Sequence, residues 1–172
     1  MQVIVPGRIQ DFSSIRPGDF FMYLVEDKQH WGMLTHANDQ TAPLSFTEPS
    51  DKDSPVPCIH DSSSFLGRAV FVFPGAEARP VWPLVTRGGA PKSNEGFGSL
   101  VQVSGTTLLR VKGARNNWDV NLADGKAQSA SVNPNATTIV NWEIGLWDER
   151  AFEFKQILQF PRLTTRRTEL RA

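Results

Sequence analysis

The sequence predicts an all-β protein, an antiparallel barrel or a two-sheet sandwich, arranged either as one domain or as two similar β-units in tandem. Three observations carry that expectation. Twelve prolines and thirteen glycines, spread through 172 residues, leave segments too short for long helices. Between those breaks apolar and polar residues alternate with period two, the signature of a half-buried strand. Eleven Phe and five Trp stand against a single Tyr, a balance that suits sheet interiors.

The first element is a hairpin over residues 16–36. Pro17-Gly18-Asp19 forms a turn that opens a strand over 19–25 (DFFMYLV), and Glu26-Asp27-Lys28-Gln29 reverses the chain into HWGMLTH. Phe20, Met22 and Leu24 share one face of the first strand. Trp31 and Met33 share one face of the second, and the two sets are the expected core of the N-terminal half. A short strand at 44–47 comes next. Residues 48–64 (EPSDKDSPVPCIHDSSS) then read as a long exposed loop, of the length that usually carries function.

Alternation resumes at 67–73 (GRAVFVF). Residues 79–85 (RPVWPLV) hold two prolines and therefore read as an edge strand or an extended connector. Residues 86–98, with four glycines and a proline, are the natural connector between an N-terminal unit (1–85) and a C-terminal unit (99–161). In the second unit, 100–103 and 107–112 form a hairpin about Gly105. The segment 118–122 (WDVNL) runs into the Asp124-Gly125 turn, with 128–132 as its partner. Residues 139–147 read as a strand. So do residues 151–160, because a helical stripe through Trp147, Ala151, Phe154 and Leu158 would strand Phe152 and Phe160. The tail, 162–172, is basic and without a core pattern. Placing Trp31 on Trp118 aligns the apolar parity of the two units, as a duplication would and as any two hairpins would.

Eighteen basic residues balance eighteen acidic ones, so no global field draws in nucleic acid or an anionic membrane. One cysteine rules out an intramolecular disulfide, and no stretch has the length of a signal peptide or a membrane helix. A cytoplasmic protein without cofactor is the expectation. The prolines of strand 79–85 leave an edge that a homodimer would use.

Candidate chemistry gathers on a few side chains. His30, His36 and His60 are the only histidines, and Cys58 lies two residues before His60. His30 and His36 share strand parity but lie about 20 Å apart along an extended chain, so they do not converge on one ion. A site joining Cys58 and His60 with one of the hairpin histidines and Asp61 matches no established spacing, and no metal is expected. PGD at 17–19 followed by HWGML at 30–34 resembles the opening hairpin of the papain-like lipid acyltransferase and NlpC/P60 hydrolase group. That resemblance, over roughly twenty residues, implies a thiol nucleophile, Cys58, with His30 as its base. In that group the cysteine starts a helix, whereas Cys58 follows Pro57 in a serine-rich loop. The leading expectation is a non-enzymatic binding or interaction module, meeting a small molecule, a glycan or a protein through loop 48–64 and exposed tryptophans. Trp31, Trp118, Asn117, Asp119 and His60 are its candidate contacts: indoles for stacking, with amide, carboxylate and imidazole groups for hydrogen bonds.

Overall fold

The computed structural model describes residues 7–37, 40–46, 57–60, 62–81, 86–88, 96–113 and 116–160. Nearly all of this is strand: β1 (Arg8–Asp11), β2 (Phe20–Val25), β3 (Lys28–Ala37), β4 (Gln40–Ser45), β5 (Cys58–Ile59), β6 (Ala69–Phe73), β7 (Glu77–Pro80), β8 (Thr86–Gly88), β9 (Leu100–Val103), β10 (Thr106–Val111), β11 (Trp118–Asn121), β12 (Ala127–Ser129), β13 (Thr137–Ile139), β14 (Trp142–Asp148) and β15 (Glu153–Phe160). Two 3-10 turns, Phe12–Ser14 and Ser62–Phe65, are the helical segments among the described residues.

The strands form three antiparallel sheets. Sheet I has the order β1-β6-β2-β3-β4-β5, sheet II β12-β11-β10-β9-β13-β8, and sheet III β15-β14-β7. The all-β expectation is met in the sandwich-like form. The barrel is not, because the sheets do not close. Sheets I and II touch at their margins through two isolated parallel bridges, Cys58 with Lys112 and His36 with Lys126. Edges remain elsewhere.

One large core joins all three sheets. Phe20, Met33 and Leu44 of sheet I meet Leu100, Leu109 and Val120 of sheet II and Trp142, Ile144 and Leu158 of sheet III. Trp142 stacks on Phe160 at 4.4 Å between ring centroids, and its indole N–H donates to the Gly98 carbonyl at 2.7 Å. That bond satisfies the polar tip of a ring that is otherwise wholly buried. A second core lies on the opposite face of sheet I, where the two 3-10 turns drop Phe12 and Phe65 onto Phe21, Tyr23, Val70 and Val72.

The ladder β2–β3 reproduces the expected hairpin, with Phe20 opposite Met33 and Met22 opposite Trp31. Residues 151–160 hold β15, a strand that pairs along β14 with a register shift near Ile144/Gly145. Three strands fall where the residue pattern carries no strand signal. β1 is four residues with a single apolar one, β5 lies inside the proline/serine loop, and β8 opens the glycine-rich stretch at 86–88 and pairs with β13. Loop residues 48–56 and 61, Trp82 and the tail 162–172 lie outside the described residues.

Candidate functional site

Two places on sheet I hold the groups that matter, and the hydrogen-bond order of the sheet positions both. Strand residues alternately bond left and right along a sheet. The Phe12 N–H donates to Arg68, so Gln10 with Val70 and Arg8 with Val72 are the hydrogen-bonded pairs of β1 with β6. The alternation runs across the sheet to its far side. There His60 N–H donates to the Pro43 carbonyl, and Ile59 N–H turns outward to the Lys112 carbonyl at 3.0 Å.

The first place is the thiol. Cys58 pairs with Ser45, and Ser45 with Gly32. Cys58 and His60 share parity on β5, and Cys58 Sγ is hydrogen-bonded to His60 Nε2 at 3.0 Å. Beside them the Tyr23 hydroxyl bonds the Ser45 hydroxyl at 3.2 Å, and His30, opposite Tyr23 in the ladder, stacks on its ring at 5.4 Å. Gly32 is required here: a Cβ on it would lie 2.7 Å from the Leu44 carbonyl and 2.8 Å from the Phe21 ring. Burial pushes the Tyr23 phenol above its ordinary 10.0, and the neighbouring thiol adds to this, while the Ser45 bond and Arg68 oppose it. Cys58 is 8% exposed, so the loop reading of its surroundings is replaced by a buried seam between sheets I and II. The His60 imidazole meets the thiol directly, and His30 lies on the Tyr23 ring on the same face.

The other sequence candidates are dispersed. Trp31 and Trp118 are half-buried and pack against the main core from different sheets. Asn117 is half-buried, and its carbonyl accepts the Ala130 N–H. Asp119 is buried and takes a two-point contact from Arg110, with Nη2 to Oδ2 at 3.0 Å, while Arg110 also reaches the Ser131 carbonyl at 2.9 Å. Such a pair holds β10 to β11 and leaves its carboxylate committed to the interior. His36 lies at the second seam, its N–H donating to the Gly125 carbonyl. Among the described residues no group of three His, Cys, Asp or Glu converges as metal ligands would. No helix of the described residues is long and apolar enough to cross a membrane.

The second place was not singled out by the sequence. On the main-core face of sheet I, Ile9, Phe71, Met22 and Trp31 lie in one cross-strand row. Trp31 still packs against the main core, and Met22 and Phe71 are half-buried, but toward β1 and the far end of β2 the cover from the other sheets runs out. Ile9 is 74% and Leu24 59% exposed. With Met22, Ala69, Phe71 and Arg68 they line an apolar groove of about 450 Å³. The opposite face of β1 is polar: Arg8, Gln10, Ser14, Arg16 and Asp19 line a hollow of about 410 Å³. The one warning in the sequence is parity, which groups Leu24 with Phe20. Parity says which face a residue takes, and not how far the covering sheet extends.

No protein-family model matches the chain, and neither a curated protein nor a solved structure shows significant similarity to it.

Proposed function

We propose that the chain is a non-enzymatic binding or interaction module whose recognition surface is the uncovered end of sheet I. One observation carries this: a contiguous apolar groove walled by Ile9 and Leu24, both largely exposed, on a face that is core elsewhere. Exposed apolar patches of this kind mark interaction sites in proteins that otherwise bury such side chains. The groove offers one charged side chain, Arg68, so a glycan, which needs many polar contacts, fits it less well than an apolar protein segment. Trp31, half-buried, borders the same face, and Trp147 on β14 is the exposed tryptophan among the described residues. With a single reduced cysteine, a cytoplasmic setting suits this reading.

Site-specific photo-crosslinking tests it. Benzoylphenylalanine at position 24, in the cells that make the protein, is expected to give a discrete adduct that the same probe at the exposed position 128 does not. Identical patterns at both positions, or no adduct at 24, would remove the reading.

A second reading, a cysteine-dependent hydrolase or acyltransferase, is favoured by the 3.0 Å contact of Cys58 with an imidazole, now that of His60. It requires a thiol that iodoacetamide alkylates at pH 7 faster than free cysteine, with the advantage lost in His60→Ala. Slower alkylation than free cysteine ends it.

A further inference from the structure

We infer that the open edge of β1 takes up an extended segment of a partner protein as an added strand, and that the segment alternates aliphatic and acidic residues. The inference rests on the binding reading above and adds the mode and chemistry of the partner.

Hydrogen-bond alternation sets the edge. Arg8 and Gln10 turn their N–H and C=O toward β6, so Ile9 and Asp11 turn theirs away from the sheet. The Asp11 carbonyl accepts the Ser14 hydroxyl at 2.8 Å. Ile9 N–H, Ile9 C=O and Asp11 N–H face outward, and among the described residues β1 pairs with β6 alone. These three groups are the template that strand addition uses.

The two faces of β1 set the side chains. A residue across from Ile9 stands on the groove face, at the end of the apolar row Ile9–Phe71–Met22. A residue across from Arg8 or Gln10 stands on the polar face, where Arg8 and Arg16 outnumber Asp19. Aliphatic side chains suit the first position and carboxylates the second, so a strand with period-two alternation satisfies both.

The longest edge among the described strands, β15, is defended. β15 spans eight residues, but a register shift interrupts its ladder near Gln156, and Glu153 and Lys155 bring charge to it. A second copy of this chain fits β1 poorly, since two-fold pairing would bring two sets of Arg8 and Arg16 onto one face.

The test uses the full chain, 15N-labelled, titrated with the peptide acetyl-Glu-Val-Glu-Val-Glu-Val-amide. The amide signals of Ile9 and Asp11 are expected to shift most, those of Arg8 and Gln10 least. Ile9→Pro removes an outward N–H without touching a bond to β6, and should weaken binding at least about fivefold. Arg8→Glu should do the same and should admit the Lys-Val counterpart, which the unaltered chain refuses. Shifts that spare Ile9, an unaffected Ile9→Pro variant, or equal binding of the lysine peptide would overturn the inference. So would the same shifts appearing on concentrating the protein alone, which would give the edge to a second copy. A crosslink at position 24 with no peptide response at Ile9 would reject strand addition and leave the binding module standing.

Discussion

Sheet I ends in two edges with opposite fates. At the β5 end, Ile59 N–H is used by the Lys112 carbonyl next to β10, Cys58 is buried against His60, and Ile59 packs against the main core. At the β1 end, the equivalent outward groups of Ile9 meet no strand among the described residues, and the apolar row beside them runs from half-buried Trp31, Met22 and Phe71 to exposed Ile9. The backbone pattern is continuous from one edge to the other. The difference lies in what is laid over each end: sheets II and III cover Phe20, Met33 and Leu44 and stop short of Leu24. A bare apolar end on an otherwise covered sheet is stable only if its residues contribute little to the fold, and that is where the comparison is open to test.

The largest contrast is between two residues of one strand and one face. Phe20→Ala, in the covered row, is expected to cost about 3–5 kcal/mol, and Leu24→Ala no more than about 0.5 kcal/mol, by urea unfolding. Equal costs would show that the apolar row is core throughout. Next comes the pair of edges. Ile59→Pro deletes a used donor and leaves the Lys112 carbonyl bare, for about 1–3 kcal/mol, whereas Ile9→Pro deletes an unused one and should fall within about 0.5 kcal/mol. A large cost at Ile9 would mean that β1 is already capped.

The smallest effect concerns Tyr23, beneath the covered end. Tyr23→Phe removes the bond to Ser45 and should cost about 1 kcal/mol. The phenol is raised in the folded protein, so its contribution is full below pH 10.0 and is lost as pH climbs from there through the folded value. Stability should therefore fall above pH 10.0 by more in the unaltered chain than in Tyr23→Phe. Tyr23 is the only tyrosine, so phenolate absorbance reports it directly, and an ionisation at or below 10.0 would contradict its burial.

How much of this was legible follows from the physics of each signal. Period-two alternation is local, so the strands from Phe20 to His36, from Leu100 to Val111 and over Glu153–Phe160 are readable, and with them the all-β class. β1 and β5 are too short to alternate. They are strands because neighbours hold them, Val70 and Val72 in one case and Ser45 and Lys112 in the other. Hence Cys58 reads as a loop residue and is a buried one. The bond of His60 to the thiol needs residues 58–60 held extended, which the pairing of Cys58 with Ser45 does and the loop composition does not announce. Asp119 next to Trp118 suggests a sugar site; Arg110, nine residues earlier, claims it through the β10–β11 ladder. The groove is the least legible feature, because it exists where two other sheets end.

The central claim, that the exposed end of sheet I serves recognition and not stability, is tested most directly on Ile9→Asn, with urea unfolding and titration by the alternating Glu-Val peptide on the same protein. Unfolding free energy within about 0.5 kcal/mol of the unaltered chain, with at least about a tenfold loss of peptide binding, is the predicted result. A destabilisation above about 2 kcal/mol, or peptide binding that is unchanged, would contradict it.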